Sequence, residues 1–210
     1  MIDVPATYVA RLWLPDIPGT LGLVAAAIGR AGGDVIGIEI LERGAGMAID
    51  ELLIELADPQ RIELLIAEVS GVPGVNVEDV HQVDPDRQDQ SILALDVAAR
   101  IVEAPGDDRL LAACSLIRSM LEAEWCTVVG RDAPDVAVGT IPDPAWLRAF
   151  LEGIRHLDGD ASFEHTPGDV AWAPMQQAGF IVCGRQLRAF RSRERQHLAL
   201  IVRIVESSLR

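Results

Sequence analysis

The sequence predicts an α+β protein of two domains, and three observations carry that expectation. Strand-like and helix-like stretches follow the order β-α-β-β-α-β over residues 1–83. A polar, acidic stretch without large apolar side chains, DPDRQDQS, then occupies residues 84–91. A second series of helices and strands, in a different order, fills residues 92–210. The first order is that of the ferredoxin-like split-βαβ unit, an antiparallel sheet with two helices on one face.

Taken in turn, Tyr8 to Leu14 reads as a strand that stops at Pro15-Asp16-Ile17-Pro18-Gly19, because both prolines lack the N–H a ladder needs. From Thr20, the residues Leu21, Val24, Ala25, Ile28 and Ala31 recur at helical spacing until Gly32-Gly33. Val35 to Leu41 and Met47 to Leu56 are strands joined by the turn Arg43-Gly44-Ala45-Gly46, so they should pair antiparallel. Asp58-Pro59 opens a second helix carried by Ile62, Leu65, Ile66 and Val69 up to Ser70-Gly71. After Pro73-Gly74, Val75 to Val83 closes the unit as a strand.

Residues 84–91 read as a linker or exposed joint. Beyond it, Ile92 to Val102 and Arg109 to Leu121 have helical periodicity, broken at Ala104-Pro105-Gly106-Asp107. Trp125 to Val129 and Asp135 to Ile141 are strands, and Asp143-Pro144 opens a helix to about His156. A polar stretch from Leu157 to Gly168 precedes two short strands, Val170 to Met175 and Gly179 to Arg185. A last helix, Ser192 to Leu209, carries the stripe Leu198, Ile201, Val202 and Val205. Helices packed on an antiparallel sheet satisfy that order.

Composition narrows the chemistry. Residues 1–83 carry four Arg against thirteen acids, residues 92–210 carry thirteen Arg against sixteen, and the whole chain of 210 residues has a formal charge of −14. Such a surface repels phosphate backbones and anionic membranes, so neither nucleic acid nor membrane is an expected partner. The absence of lysine removes Schiff-base chemistry. No apolar run reaches the length of a membrane span and the N-terminal residues lack a secretory pattern, so a cytoplasmic location is expected. Cys114, Cys126 and Cys183 are widely spaced among apolar neighbours, which favours buried thiols over a disulfide framework or a metal site. No phosphate-binding loop, nucleophile elbow or His-Glu-x-x-His motif is present; no cofactor and no catalysis are expected.

The run Asp16-Ile17-Pro18-Gly19-Thr20-Leu21, followed by Val24, Ile28, Gly32-Gly33 and the branched strand at Val35, resembles the ACT domain, whose signature is Asp-x-Pro-Gly-x-Leu and a later Gly-x-Asn-Ile. The ending Gly184-Arg185, then Phe190-Arg191-Ser192-Arg193-Glu194-Arg195 and an amphipathic helix, is similar to the end of a GAF domain. The resemblance implies an ACT-like ligand-sensing domain over residues 1–83, a linker over 84–91 and a GAF-like domain over 92–210. It also implies a small-molecule ligand such as an amino acid, homodimer formation through the ACT domains, and a regulatory role in which the GAF-like domain relays the signal. A regulatory subunit that contacts a protein partner and binds no metabolite is the alternative.

The ligand-binding positions implied are Asp16, Ile17, Pro18, Gly19, Thr20 and Leu21, with Gly33, Asp34 and Val35. The first group runs into a helix N-terminus, where free N–H groups favour an anion, although Asp16 or Thr20 could instead cap the helix. Asp34 departs from the asparagine of the family; an ionised carboxylate donates no hydrogen bond and suits an amine or cation better. Should Asp16 and Asp34 lie close together, they could hold a divalent cation or act as an acid–base pair. Asp50 and Glu51, adjacent on a strand, point to opposite faces and read as solvated sheet residues. His81, His156, His165 and His197 have no metal-ligand spacing. Arg185, Arg188, Arg191, Arg193 and Arg195 either hold an anionic ligand or pair locally with Glu194, and Trp125, Trp146 and Trp172 either line a cavity or fill a core.

Overall fold

The structure is a computed structural model that describes residues 5–130, 134–154, 168–175, 179–186 and 188–209. It divides into two compact units, Met1–Asp89 and Gln90–Arg210.

In the first unit the order is β1 (Ala6–Pro15), α1 (Thr20–Arg30), β2 (Gly33–Gly44), β3 (Met47–Leu56), α2 (Ile62–Ser70) and β4 (Asn76–Val83). Alpha2 is entered through one 3-10 turn, Pro59–Arg61, where the Asp58 carboxylate accepts from the Gln60 N–H at 3.0 Å. The sheet order is β2-β3-β1-β4, every neighbour antiparallel. The two-residue side-chain period of a strand then sorts the residues. Ala10, Leu12 and Leu14 of β1 and Ala48, Leu52 and Ile54 of β3 join one core with Val24 and Ile28 of α1 and Leu65 and Val69 of α2. Residues of opposite parity, Arg11 and Glu51 among them, face away from the helices.

Beta2 is longer than its branched core suggests, because the glycine pair does two different things. Gly32, at φ 85, ends the helix, whereas Gly33 is already paired with Leu56. A Cβ at Gly33 would stand 2.9 Å from Cγ2 of Ile28 and 3.1 Å from Cγ2 of Ile54, so only glycine lets the strand pass this close to the core. At the other end the β2–β3 hairpin turns through Ala45 (φ 50) and Gly46 (φ 77), the left-handed pair of a two-residue primed turn.

The second unit runs α3 (Gln90–Glu103), α4 (Arg109–Met120), β5 (Trp125–Val129), β6 (Pro134–Gly139), α5 (Pro144–Ile154), β7 (Val170–Met175), β8 (Gly179–Gly184) and α6 (Ser192–Ser208). Its antiparallel sheet has the order β6-β5-β8-β7. Central β5 is buried along its whole length, and its alternation feeds two cores. Cys126 and Val128 pack with Ile101 of α3, Ile117 of α4 and Leu198 and Val202 of α6. Trp125 and Val129 pack with Leu147 and Leu151 of α5 and with Trp172. His156, His165 and the polar stretch up to residue 167 lie outside the described residues. Among the described residues, no helix is long and apolar enough to cross a membrane.

Two substitutions test this packing. Gly33→Ala should lower unfolding stability by about 1–3 kcal/mol in urea titration, the cost of forcing a methyl into a filled core. Ala45→Asn, which accepts the left-handed turn more readily, should raise it by about 0.5 kcal/mol.

Candidate functional site

Gly19 sets the geometry of the predicted loop. At φ 99 it occupies the N-cap position of α1, and no side chain caps the helix. The expectation that Asp16 or Thr20 caps it is therefore corrected. The carboxylate of Asp16 is instead gripped at both oxygens by Arg43 near the end of β2, Nε to Oδ2 at 3.0 Å and Nη2 to Oδ1 at 2.6 Å. The Asp16 N–H also donates to the Gly46 carbonyl at 2.9 Å. The loop is thus tied to the β2–β3 hairpin by backbone and side chain, and the Arg43 guanidinium holds the Asp16 carboxyl below the usual range. Thr20 is buried, Leu21 packs against the core, and Pro18 and Ile17 are exposed.

No side chain caps the first turn of α1; the Thr20 N–H donates to the Ile17 carbonyl at 3.3 Å, and the helix dipole still favours an anion at this end. The charges of Asp16 and Arg43 also act on a carboxylate that sequence reading placed in solvent. Asp50 of β3 lies between Leu12 of β1 and Ile40 of β2, on the helix-covered face. It is only 3 % exposed, and its Oδ1 has no hydrogen-bond partner. Burial first, and then the charge of Asp16, raises its carboxyl above the ordinary value, while Arg43 acts in the opposite direction.

Gly33, Asp34 and Val35 are not beside this loop. They pair with Leu56, Glu55 and Ile54, at the end of the sheet where β1 begins, while Pro15 pairs with Met47 at the other end. About nine residues of strand separate Asp34 from Asp16, roughly 30 Å at 3.3 Å per residue. The expected closeness of the two aspartates within one chain is corrected, and with it the cation site or acid–base pair they would have formed. Asp34 is exposed, and Val35 packs into the core.

Glu51 corrects the other half of the solvated-sheet expectation. It is buried and accepts from Arg11 Nη2 at 2.8 Å and from Arg87 Nη2 at 3.2 Å. Arg11 is itself 2 % exposed, so the face opposite the helices contains a desolvated ion pair shared with the segment after β4. Sequence reading missed Arg43 as the partner of Asp16 and Asp50 as a buried acid. The parity of β3 carried the second signal, since Asp50 falls in the inward series with Ala48, Leu52, Ile54 and Leu56.

In the second unit Arg185, Arg188 and Arg195 are tied into the fold. Arg185 is buried, donates to Glu194 at 2.7 and 3.0 Å and to the Leu121 carbonyl at 2.6 Å, and stacks over Phe190 with its guanidinium carbon 4.1 Å from the ring centre. Arg188 pairs with Glu122, and buried Arg195 donates to the Val170 carbonyl. Glu194 also accepts the Arg191 N–H at 2.8 Å, closing the start of α6. Trp125 and Trp172 are core residues, and exposed Trp146 stacks on Phe150. All three cysteines are buried and free, with Cys126 and Cys183 facing across β5 and β8 at an Sγ–Sγ distance of 3.1 Å. His81 hydrogen-bonds Asp79 at 2.7 Å. Among the described residues, no group of three His, Cys, Asp or Glu side chains could hold a metal ion.

No family model matches the sequence, and no curated protein matches it. Solved structures similar to the chain include the ACT domain of GTP pyrophosphokinase from Chlorobium tepidum, at 16% identity and a TM-score of 0.31, covering 38% of this chain and 100% of that one. A bacteriophytochrome from the photosynthetic bacterium R. palustris matches at 12% identity and a TM-score of 0.43, over 82% of this chain and 47% of its own. A candidate glycine cleavage system transcriptional repressor matches at 12% identity and a TM-score of 0.35, over 86% of this chain and 79% of its own. The class is that of a two-unit α+β protein. A ferredoxin-like βαββαβ unit with strand order β2-β3-β1-β4 precedes a second α+β unit with strand order β6-β5-β8-β7.

The two neighbours on β3 should behave oppositely when neutralised. Glu51→Gln removes the charge that two guanidiniums share and should cost about 3 kcal/mol in urea titration. Asp50→Asn in the ligand-free protein should raise the unfolding midpoint at neutral pH. A carboxyl whose folded pKa is raised is destabilising above that pKa, and the penalty disappears as the pH falls toward the unfolded value of 3.8. The gain should therefore vanish near pH 4 in a pH series of melts.

Proposed function

We propose that the protein is a non-catalytic cytoplasmic regulator in which the ACT-like unit binds a small, amino-acid-like metabolite and the GAF-like unit relays its presence. The observation that carries this reading is the uncapped first turn of α1, entered through Gly19 in a left-handed conformation. That turn offers backbone donors to a carboxylate and lets a ligand come close to the chain.

The separation of Asp16 from Asp34 gives the proposal a shape. Beta2 is an edge strand, and Ile36, Ile38 and Ile40 are 48 %, 50 % and 44 % exposed along it. Antiparallel pairing of two such edges covers the isoleucines and sets the start of one β2 beside the end of the other. Asp16 to Leu21 of one protomer then meet Gly33, Asp34 and Val35 of its partner, so the site is complete only in a homodimer. Relay requires that the ligand bind two arrangements of the protein unequally.

The same exposed isoleucines support a second reading, a regulatory subunit whose edge strand takes up a segment of a protein partner and that binds no metabolite. Two measurements separate the readings. Thermal-shift screening of the full chain against the common amino acids at millimolar concentration should raise the melting temperature for at least one, and Gly19→Val should abolish that shift. Light scattering should give a dimer that Ile38→Asp dissociates. A folded protein whose melting temperature no amino acid raises would leave only the second reading standing.

A further inference from the structure

The site described above contains one group that an anion-binding helix terminus does not need. Asp50 presents a carboxylate on the helix-covered face of β3, next to the strands that carry the Asp16 loop and Arg43, and its Oδ1 is buried without any donor. A charged oxygen left unpaired in the interior costs several kcal/mol. It persists in a fold either because it serves a ligand or because water fills the gap. The nearby cation is already engaged, since Arg43 gives Nε and Nη2 to the two oxygens of Asp16. Asp16, Arg43 and Asp50 together therefore carry one uncompensated negative charge.

Resting on the amino-acid-like reading of this site, we propose that Asp50 is the residue that selects the ligand, by taking a primary ammonium group. The complementary arrangement is a zwitterion, its carboxylate at the N-terminal end of α1, where no side chain caps the helix, and its ammonium on Asp50. A metal ion suits the place less well. A divalent cation seeks six or more oxygens, Asp16 is committed to Arg43, and no metal-holding group of three exists among the described residues. A simple anion suits it least, because it would meet Asp50 without a cation to screen it. An ammonium supplies three donors in a compact volume and neutralises the buried charge, which a neutral hydroxyl cannot do.

The proposal predicts an order among matched ligands. An amino acid satisfies both ends, the amine left after decarboxylation satisfies Asp50 alone, and the acid left after removal of the amino group satisfies the helix but faces an unpaired carboxylate. Titration calorimetry of the full chain with L-valine, isobutylamine and isovalerate, repeated with the corresponding triplet of whichever amino acid gives the largest thermal shift, tests that order. The amino acid should bind most tightly, the amine measurably and the acid least. Asp50→Asn, shown by its melt to be folded, should weaken the amino acid and the amine by about tenfold or more while leaving the acid unchanged or improved. Asp50→Glu, which keeps the charge, should retain the preference for amine over acid. Equal binding of acid and amino acid, or unchanged affinities in Asp50→Asn, would overturn the selection by Asp50, with water as its only companion, and leave the ligand-binding reading intact. Binding of no member of any triplet would overturn both.

Discussion

The start of α1 is the constraint on which the candidate site depends. A chain leaving an antiparallel strand at Pro15 must reverse over a few residues and present a helix to the face it has just left. It does so through Gly19 in the left-handed region, a conformation that side chains with a Cβ resist. The consequence is unusual for a helix entry: no side chain caps it, because Asp16, the residue best placed by sequence to do so, is drawn to Arg43 across the hairpin. Thr20 is then buried, Val24 and Ile28 are aligned on the sheet, and no side chain covers the start of the helix. One backbone angle and one ion pair decide both the packing of α1 and the chemistry at its end.

The strands and helices were legible because their periodicities are strong. Val24 and Ile28, or Leu52 and Ile54, repeat at the spacing that one buried face demands, and turn residues punctuate them. The second unit was readable for the same reason, from Ile117 in α4 to the stripe of Leu198, Ile201 and Val202 in α6. Hidden from that reading was everything set by strand register. Asp34 belongs to the far end of β2 because Gly33 pairs with Leu56, and no local pattern announces that a loop and a strand start will stand at opposite ends of a sheet. Cys126 and Cys183 are neighbours only because β5 and β8 pair, fifty-seven residues apart in sequence.

Charged residues were misplaced for a related reason. A lone acid in a strand is ordinarily solvated, so Asp50 and Glu51 read as surface positions. Their burial depends on partners from elsewhere in the chain: Arg11 from β1 and Arg87 from the segment after β4 desolvate Glu51 by pairing with it. Asp50 Oδ1 has no such partner, and the two adjacent carboxylates of β3 thus stand in different surroundings. The arginines of the second unit make the converse point. A dense run in sequence looks like a ligand patch, yet Arg185 is held by Glu194, three carbonyls and the face of Phe190.

The same adjacency bears on how occupancy of the site would be transmitted. Asp50 and Glu51 are consecutive on β3 and face opposite sides of the sheet, so the strand joins the Asp50 carboxylate on the helix-covered face to the ion pairs on the far face. Glu51 is shared by Arg11, fixed in the central strand, and Arg87, which belongs to the short segment leading into α3. A ligand that neutralises Asp50 removes a buried charge from one face of β3 and so changes the balance of charge felt by its neighbour on the other. Only a ligand that binds two arrangements of the protein unequally can turn that change into a signal. Glu51, held by Arg11 of β1 and by Arg87 of the segment before α3, is the residue of β3 that such a ligand would act on next.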